Sequence, residues 1–584
     1  MKWISLLFFL FYFQQIQAQP NPIRIDQEGY YPQAPKIAVL VLSPHQDPAS
    51  VGRATTFYVT SHQGKDTVFI GDLSYERNST NSSLQTRVAD FSSLKTTGTF
   101  QVVIGKLSSY PFRIQQKVHG SLATASLKAF YFQRASIALD SVYAGRWSRV
   151  GGHPDTAVII HPSAATAWRK AGTTISTPGG WYDAGDYNKY MVNSGISTAT
   201  LLSSYEDFKG YFDTLQTHIP PGDKPIPDIL TEVLYNLRWM LSMQDPGDGG
   251  AYNKCTNASF DGMEMPALAQ EPRYVVQKGT AATLDLAAVA AQAARIFSFY
   301  KKELPGLSDS CRMAAEKAWQ WCLAHPDMAY DQQAMNLLYE PKISTGGYGD
   351  KQFSDEWFWA ASELYILTGG KNYKDSVLRG LNQTFGLPSW SQTGLLGYYS
   401  LLRGKGNHLS TLQEDSIRRR LIRMADDYIR LSERNAFLTV MGGRKSDFVW
   451  GSNANAANQG VLLIEVYRLT QNPKYLDAAL GNLDYLCGRN ATGYCFVTGF
   501  GSYSPLHPHH RPSIADGITE PIPGLLVGGP NPGEQDHSHY DFHEPETAYV
   551  DNANAYASNE IAINWNAPLV YLANAVETLF ASPH

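Results

Sequence analysis

The chain has 584 residues, of which 43% are hydrophobic, so it can bury a large core in two domains or in one large domain with an appendage. A formal net charge of −5 and a charged fraction of 17% exclude a basic surface for nucleic acid and a polybasic membrane patch. The aromatic fraction of 12% favours a ligand with flat apolar faces, such as a sugar ring, although a large core also uses aromatic residues.

Residues 1–18 are predicted to be a secretory signal peptide. Lys2 supplies a positive charge, an apolar run follows from Trp3 to Phe13, and Ala18 is a small residue at the cleavage point. This run is too short to span the roughly 30 Å of a hydrocarbon core. We therefore expect an exported protein, periplasmic or secreted, that has no membrane attachment after cleavage and is a monomer.

Residues 20–117 have the pattern of β-strands. The segments KIAVLVL (36–42), ATTFYVT (54–60), DTVFIGDL (66–73) and GTFQVVIG (98–105) are rich in β-branched and aromatic residues. Clusters of Ser, Asn, Gly and Pro separate them. Strands at this spacing are typical of an all-β sandwich. The segment holds no cluster of ionisable residues, so we expect it to have a structural role.

From about residue 120 to residue 584 the hydrophobic pattern is helical. Residues 231–244 place apolar side chains on one face behind a capping Asp228, and residues 473–488 begin with a proline and stop at a glycine. We count about twelve such segments. An even number of helices joined by long loops favours a toroid of helical hairpins, whose loops build a cleft at one end.

The five cysteines are an odd number, so at least one thiol should be free. Cys311 and Cys322 lie roughly 16 Å apart in one predicted helix, which is beyond the reach of a disulfide. Cys487 and Cys495 flank a turn that contains glycine, and the sequence is compatible with a disulfide between them. We find no close Cys/His pattern typical of structural zinc.

The first chemical motif is YDAGDYNKY (182–190), in which Asp183 and Asp186 flank Gly185 as in a tight turn where glycine permits an unusual backbone angle. Three interpretations are open. With Asn188, the aspartates offer oxygen ligands for calcium, although the closing bidentate Glu of the common loop is missing. They can be turn formers only. They can also activate a water molecule, with one carboxylate accepting the proton and the other holding the water.

A general base needs a partner acid, and Glu560 in YVDNANAYASNEIAINWNAP (549–568) is a candidate. Tyr549 and Tyr556 lie near it and cations are few. A carboxyl group in an aromatic, apolar setting keeps its proton near neutral pH. The alternative is that Glu560 occupies the first turn of the last helix, where acidic side chains are favoured in any case.

The stretch GYCFVTGFGSYSPLHPHHRPS (493–513) concentrates His507, His509, His510 and Arg511 between prolines and glycines. Histidines so close together around a proline rarely converge on one metal ion. Hydrogen bonds to hydroxyl groups fit the setting better. Each of the three motifs is ambiguous when it is taken alone.

Taken together, the motifs resemble glycoside hydrolase family 9. The DAGD turn of that family is matched at 183–186, its PHHR loop at 508–511, and its C-terminal signature by Tyr549, Asp551, Tyr556, Glu560 and Asn566. The resemblance covers nearly the whole mature chain. Residues 90–105 are also similar to the last strands of the family's N-terminal domain.

This resemblance implies an all-β immunoglobulin-like sandwich (20–117) followed by an all-α (α/α)6-barrel catalytic domain (120–584). It also implies an endo-acting hydrolase that cleaves β-1,4-glucosidic linkages of β-glucans with inversion and without a cofactor in catalysis. An exo-acting glucanase or a glucosaminidase of the same family is the alternative.

The resemblance assigns roles to single residues. Asp186 matches the general base, Asp183 the carboxylate that shares its water, and Glu560 the general acid. Asp551 matches a further active-site carboxylate, and His509 matches a residue beside the cleavage point that completes the catalytic set. Matches to residues that bind the sugar are Arg511, Tyr348, Trp450 and Tyr556.

Some positions depart from the family pattern. Cys495 and Tyr503 stand where we expect Ser and Lys, and residues 149–163 lack the cysteines that bind zinc in many two-domain relatives. Asp355 and Glu356 match part of a calcium site of the family, whose remaining side-chain ligand the sequence does not identify. The sequence therefore does not decide whether a structural calcium ion binds at Asp355 and Glu356.

An inverting glycosidase needs two carboxyl groups about 6.5–9.5 Å apart. Because Asp186 and Glu560 are distant in sequence, only a closed barrel that joins its first and last helices can pair them. Three other classes compete with this interpretation. A glycan-binding protein needs no acid and base, a polysaccharide lyase has no use for paired aspartates, and a metal-dependent hydrolase would be inactivated by a chelator.

Overall fold

The computed structural model of the protein describes residues 20–42, 54–62, 66–221, 225–404 and 409–581. The predicted signal peptide lies outside these ranges. Within them, a β-sandwich is followed by a barrel of helices, so the predicted fold class is confirmed. None of the helices in these ranges combines the length and the apolar character that crossing a bilayer would require.

The sandwich consists of two sheets. In one, the strand order is β1-β3-β7-β6; in the other it is β2-β10-β8-β4-β5, with β9 paired to β8. All neighbours are antiparallel except β2 and β10. The strands are β1 Ile23–Arg24, β2 Gly29–Tyr30, β3 Ile37–Leu42, β4 Thr56–Ser61, β5 Thr67–Asp72, β6 Arg77–Asn78, β7 Gln85–Asp90, β8 Gly98–Ile104, β9 Leu107–Ser108 and β10 Phe112–Ile114.

Alternation of side chains builds the core of the sandwich. In β4, Phe57 and Val59 point inward and are fully buried, whereas Tyr58 between them is exposed. The rings of Phe91 and Phe112 pack edge-on against Tyr30 at centroid distances of 5.2 and 5.3 Å. The four predicted strand segments are thus strands of the sandwich.

Twelve helices of the described chain form the barrel, in which the even-numbered helices are inner and the odd-numbered helices are outer. Every residue of the inner helix α4 except Arg295 is buried, whereas the outer helix α5 buries one face only. The helices are α1 Gly120–Phe132, α2 Met191–Asp207, α3 Asp228–Ser242, α4 Thr280–Phe297, α5 Leu307–Ala324, α6 Ser354–Thr368, α7 Lys371–Gly380, α8 Gly394–Arg403, α9 Thr411–Ser432, α10 Ser452–Thr470, α11 Pro473–Leu486 and α12 Ile563–Ala581.

The loops at one end of the barrel contain a third sheet, which the sequence pattern does not predict. Its strand order is β12-β11-β15-β14-β13. Each strand has only two or three residues, which is too short for hydrophobic periodicity to be visible. The strands are β11 Val158–Ile160, β12 Thr174–Ile175, β13 Lys189–Tyr190, β14 Lys254–Thr256 and β15 Tyr274–Val275.

Shorter helical turns lie in the connections. The α-helical turns are Ser141–Ala144, Lys209–Phe212, Gln332–Leu338, Arg511–Ala515 and Tyr556–Asn559, and the 3-10 turns are Gly145–Trp147, Pro162–Ala164, Ser298–Tyr300 and Lys445–Asp447.

The sandwich packs on the barrel through an apolar and a polar contact. Val39 and Val41 of β3 lie against Phe437 of the barrel. The side chain of Gln27 donates a hydrogen bond to the carbonyl of Gly493 at 2.9 Å and accepts one from the N–H of Tyr503 at 2.9 Å. The sandwich therefore supports the chain segment that leads to the PHHR loop.

A buried ionic network joins the inner helices at the other end of the barrel. Arg403 at the end of α8 contacts Asp207 of α2 at 2.6 Å and Glu465 of α10 at 2.6 Å. Tyr571 of α12 donates to Asp207 at 2.7 Å. Through Arg295 and its partners, the network extends to α4 and α6, so that each of the six inner helices contributes; the remaining members are Glu206, Arg295, Glu363 and Arg468.

All five cysteines are buried free thiols. Cys487 and Cys495, for which the sequence left a disulfide open, are not bonded to each other. Their thiols are hydrogen bonded, and this contact, followed by burial, raises the pKa of Cys487 well above its ordinary value.

Candidate active site

The predicted site residues meet at the N-terminal ends of the inner helices, opposite the ionic network. Asp186 precedes α2, Tyr348 precedes α6, Trp450 precedes α10 and Glu560 precedes α12. The loops that enter the inner helices therefore build the site. Because the N-terminus of a helix carries a partial positive charge, this end of the barrel favours acidic groups.

Asp186 is held in one orientation by two donors to the same oxygen. The side-chain amide of Asn188 donates to Oδ2 at 2.6 Å, and the hydroxyl of Tyr190 donates to Oδ2 at 3.1 Å. The contacts found for this carboxylate in the described chain leave Oδ1 as the acceptor for a further ligand. Both donors stabilise the ionised carboxylate.

The amide of Asn188 is itself oriented by a second layer of hydrogen bonds. Its Oδ1 accepts from the hydroxyl of Thr256 at 2.9 Å, from the backbone N–H of Asn257 at 2.9 Å and from Arg273 at 3.3 Å. Since the oxygen faces these donors, the NH2 group must face Asp186. Asn188 and Tyr190 lie in the motif quoted from the sequence, but their role as donors to Asp186 was not predicted.

Asp183 is buried beside Asp186. Asn193 donates to both of its oxygens at 2.9 and 3.0 Å, and the hydroxyl of Tyr348 donates to Oδ2 at 2.9 Å. Burial, followed by the charge of Asp186, raises the pKa of Asp183 well above its ordinary value. A single negative charge on the two aspartates together is therefore favoured over one charge on each.

The turn between the aspartates is tightly packed. A Cβ atom on Gly185 would lie 2.2 Å from the carbonyl oxygen of His509, so no larger residue fits. Gly185 does not have a positive φ angle, and the expectation that glycine is needed there for an unusual backbone angle is wrong. The need for glycine is steric, because the PHHR loop approaches so closely.

Lys189 follows the turn that carries the aspartates and fixes it through a buried ionic contact. It lies in β13 and its ammonium group contacts the carboxylate of Asp155 at 2.7 Å, which Arg273 also contacts at 3.1 Å. Burial alone would favour a neutral Asp155, but these two cations lower its pKa below the ordinary value. The site is thus supported by a buried cluster of one carboxylate and two cations that the sequence did not predict.

Glu560 lies three residues before α12, so the interpretation that it occupies the first turn of that helix is wrong. It is in extended conformation and its backbone pairs with that of His509 in a short bridge. The side chain is half-buried. Burial, followed by the charges of Asp186 and Asp183, raises the pKa of Glu560 well above its ordinary value. This carboxyl group is arranged to keep a proton.

The histidines of the PHHR loop have different surroundings. The Nδ1 atom of His509 lies 2.6 Å from the carbonyl of Ala553, and its ring packs at 5.7 Å from that of Tyr556. His510 is fully buried and hydrogen bonded to Gln133 at 2.9 Å, and burial lowers its pKa to about 3. His507 is exposed. His509 is therefore the histidine that faces the site.

Arg511 and Asp551 hold backbone groups. The guanidinium group of Arg511 donates to the carbonyls of Gly185 at 2.8 Å and Asp261 at 3.0 Å. The carboxylate of Asp551 accepts from the N–H groups of Leu506 at 2.7 Å and His507 at 2.9 Å. Both residues position the loops around the carboxyl groups.

Aromatic side chains border the site on two sides. The ring of Trp450, which is 42% exposed, lies 5.5 Å from that of Tyr556. The ring of Tyr348 lies 4.7 Å from Tyr190 and 5.3 Å from Trp390. Tyr348 has a φ of 47°, which is strained for a bulky residue and is found mostly where function requires it. Trp390, in the loop before α8, was not predicted.

Asp355 and Glu356 are brought next to two further carboxylates, Asp285 of α4 and Asp350. Both oxygens of Asp285 and of Glu356 are buried without a hydrogen-bond partner among the described residues. Burial, followed by the charges of Asp355 and Asp285, raises the pKa of Glu356 to about 11. Asp350 also has a buried oxygen without a partner among the described residues, whereas Oδ2 of Asp355 accepts from the N–H of Thr393 at 2.7 Å. Carboxylate oxygens are the ligands that calcium prefers.

Comparison with known proteins agrees with this geometry. The family model described as glycosyl hydrolase family 9 matches residues 119–573, and the model described as cellulase N-terminal ig-like domain matches residues 18–109. Xyloglucan-specific endo-beta-1,4-glucanase BoGH9A of Bacteroides ovatus is 44% identical over 565 residues, which are 96% of this chain and 94% of that protein. Endoglucanase D of Acetivibrio thermocellus is 30% identical over 557 residues, which are 94% of this chain and 82% of that protein.

A solved structure described as Bacteroides ovatus GH9 superimposes with a TM-score of 0.89 at 43% sequence identity. The superposition covers 96% of this chain and 99% of that one. The similarity therefore extends over both the sandwich and the barrel.

Proposed function

The chain belongs to glycosyl hydrolase family 9 and is a β-1,4-glucanase, and from this premise we propose that it is an endo-acting hydrolase of branched β-1,4-glucans of the xyloglucan class. The similarity to a xyloglucan-specific enzyme over nearly the whole of both chains supports the substrate class. Hydrolysis in this family inverts the anomeric centre.

The observation that carries the proposal is the contrast between two carboxyl groups at one site. Asp186 receives two hydrogen bonds that stabilise its ionised form, whereas Glu560 has its pKa raised by burial and by the neighbouring aspartates. One group is thus suited to accept a proton and the other to donate one. We assign Asp186 as the general base and Glu560 as the general acid.

The reaction then follows in one displacement. A water molecule that Asp183 and Asp186 hold loses its proton to Asp186 and attacks the anomeric carbon, while Glu560 protonates the glycosidic oxygen that leaves. The Asn193 and Tyr348 donors keep Asp183 in place to hold the water. No cofactor enters these steps.

We propose sugar contacts for the side chains that border the carboxyl groups. Trp450, Tyr556 and Tyr348 offer ring faces to the apolar faces of the glucan, and His509 offers its ring nitrogen to a hydroxyl group. Arg511, whose donors already bind backbone carbonyls, supports this arrangement from behind, and Asp551 does the same for the loop that carries the histidines.

We propose that Asp355 and Glu356, together with Asp285 and Asp350, bind a structural calcium ion. The unpaired buried oxygens of Asp285 and Glu356 support it. Such an ion would offset part of the negative charge of the cluster and join α4 to the start of α6. It would act on stability and supply no chemistry to the reaction.

Residues 20–117 are proposed as the supporting domain and residues 120–584 as the catalytic domain of a monomer that is exported by a signal peptide at 1–18. The sandwich contributes hydrogen bonds behind the PHHR loop through Gln27, which supports a structural role.

The proposed function is tested with a panel of soluble β-glucans that includes xyloglucan, carboxymethyl cellulose and mixed-linkage glucan. We expect the fastest turnover on xyloglucan, with a fall in viscosity before small products accumulate. Chromatography of early products separates the two modes, because an endo-acting enzyme releases a range of sizes. A single small product from the first minutes would favour the exo-acting alternative, and equal rates on unbranched chains would contradict the substrate class.

A further inference from the structure

The loop that enters α4 contains an exposed aromatic residue, Phe260, beside Arg511, whose guanidinium group donates to the turn of the general base. Five of the six loops that enter inner helices already supply a group to the site or its border: Asp186, Tyr348, Trp390, Trp450 and Glu560. The loop before α4 lies between the first two of these in chain order. No residue of its segment 257–264 has so far been assigned a contact with the substrate.

This segment is fixed to the turn that carries the aspartates. The backbone N–H of Asn257 donates to Asn188 at 2.9 Å, and the hydroxyl of Tyr187 donates to the carbonyl of Glu264 at 2.6 Å. Between these two points, Arg511 donates to the carbonyl of Gly262 at 3.1 Å. The segment is therefore anchored at both ends and in the middle, and its surface is preformed.

Phe260 and Met263 present the apolar part of that surface. Phe260 is 48% exposed and Met263 is 45% exposed. The guanidinium carbon of Arg511 lies 5.8 Å from the ring centre of Phe260. A cation–π contact of this kind holds the aromatic ring beside the site while leaving much of its surface open. An open aromatic face held at a fixed place is a platform on which the C–H groups of a sugar ring can stack.

Asp261 presents the polar part. Its Oδ1 accepts from the side-chain amide of Asn257 at 2.6 Å, whereas its Oδ2 is buried and has no donor among the residues that the structure describes. Burial raises the pKa of Asp261, and the charges of Arg273 and Arg511 oppose this effect. A buried acceptor without a partner requires an explanation, and a sugar hydroxyl would satisfy it.

We propose that Phe260 and Asp261 form a subsite for one glucosyl ring of the substrate main chain, adjacent to the cleavage point. The ring stacks on the open surface of Phe260, and one of its hydroxyl groups donates to Oδ2 of Asp261. Main-chain rings of a β-1,4-glucan are flat and carry their hydroxyl groups at the edges, which matches an apolar face with an acceptor beside it. The inference rests on the proposed function of the carboxyl groups.

The test measures binding without turnover. Calorimetric titration of cellohexaose and of a xyloglucan oligosaccharide into the Asp186→Asn protein gives the reference affinity. Adding Phe260→Ala should weaken the binding of both ligands about tenfold, whereas Phe260→Tyr should retain it. Asp261→Asn keeps an acceptor for Asn257 but replaces the free acceptor by a donor, and it should also weaken binding.

Phe299→Ala is the matched control. Phe299 is 80% exposed and follows the C-terminal end of α4, at the end of the barrel that holds the ionic network. Its removal should leave the affinity for both ligands unchanged. A Phe260→Ala protein that is folded and binds as the reference does would overturn the subsite.

The failure of this inference can be distinguished from failure of the proposed function. If the unmodified protein hydrolyses β-glucans but a folded Phe260→Ala protein binds as the reference does, the subsite alone is wrong. If the unmodified protein neither binds nor hydrolyses any β-glucan, the proposed function is wrong and the subsite with it. Should Phe260→Ala fail to fold, Asp261→Asn still decides the question.

Discussion

The backbone carbonyl of Asp183 accepts a hydrogen bond of 2.8 Å from the N–H of Ile563, the first residue of α12. This bond ties the turn that carries the proposed base to the segment that carries the proposed acid. Glu560 lies three residues before Ile563. The separation of the two carboxyl groups is thus fixed by backbone contacts between the first and the last inner helices, and side-chain substitutions at the site should leave it unchanged.

Replacing the proposed base should abolish turnover without unfolding the protein. Asp186→Asn keeps the hydrogen bonds of the side chain nearly intact but cannot accept a proton, so kcat should fall by at least about 10²–10⁴, or about 3–5 kcal/mol of barrier. The kcat of Asp183→Asn should lie between that of Asp186→Asn and that of the unmodified protein. Rates on a soluble glucan and melting curves check both. A larger loss of kcat for Asp183→Asn than for Asp186→Asn would indicate that Asp183 is the base and that Asp186 holds the water.

Replacing the proposed acid should have an effect that depends on the leaving group. Glu560→Gln cannot protonate the glycosidic oxygen, so turnover of unactivated glucans should fall by about 10²–10⁴. An activated aryl glycoside departs without protonation, and its turnover should be largely spared. Parallel kinetics on both substrates measure the ratio. Equal losses on both substrates would contradict the assignment.

The pH dependence of turnover should report the proton on Glu560. This group acts when it is protonated, and its pKa is raised above the ordinary 4.5, so activity should extend to higher pH than an ordinary glutamate allows and fall as the pH rises through the raised pKa. Because the aryl substrate departs without protonation, its turnover by the unmodified protein should lack this alkaline decline, whereas turnover of an unactivated glucan should show it. A decline that is the same for both substrates would assign it to another group.

Removing calcium should lower stability and leave the chemistry intact. An ion that binds the folded state at a hundred times its Kd stabilises that state by about 2.7 kcal/mol, so a chelator should lower the melting temperature. Glu356→Gln should reduce this response, whereas Glu340→Gln, on an exposed side chain, should not. Rates are measured well below melting. Loss of all turnover in a still-folded protein would favour a metal-dependent hydrolase instead.

Removing Arg403 should destabilise the barrel strongly. Its guanidinium group pairs with Asp207 and Glu465 where the side chain of Arg403 is only 8% exposed, and Arg403→Met would leave both carboxylates without this partner. The expected loss is about 3–5 kcal/mol. Arg312→Met, which breaks an exposed pair with Glu316, should cost at most about 1 kcal/mol. Urea unfolding followed by tryptophan fluorescence compares the two; similar midpoints would contradict a stabilising role.

Much of this architecture follows from the sequence, because long periodic segments and motifs with several chemically distinct residues are visible in one dimension. The twelve helices and the pairing of the Asp186 turn with Glu560 are of this kind. The strands of the third sheet are too short for periodicity. Trp390 and Asp285 have no local signal, since their roles depend on neighbours distant in the chain. The alternative that Glu560 lies in the first turn of the last helix was open because the segment before α12 contains neither Gly nor Pro.

The ionic network at the far end of the barrel has a consequence for how such a chain can change its length. Each inner helix supplies a polar group to one shared cluster. No helical hairpin is therefore stable by itself. Deleting or duplicating a hairpin would leave a polar or charged group without its partner in an apolar interior. Repeat proteins, in contrast, tolerate gain or loss of a unit because each unit contacts only its neighbours. The number of helices in this barrel is therefore fixed by the shared cluster. Variation between relatives should be confined to the loops at the end of the barrel that carries the site.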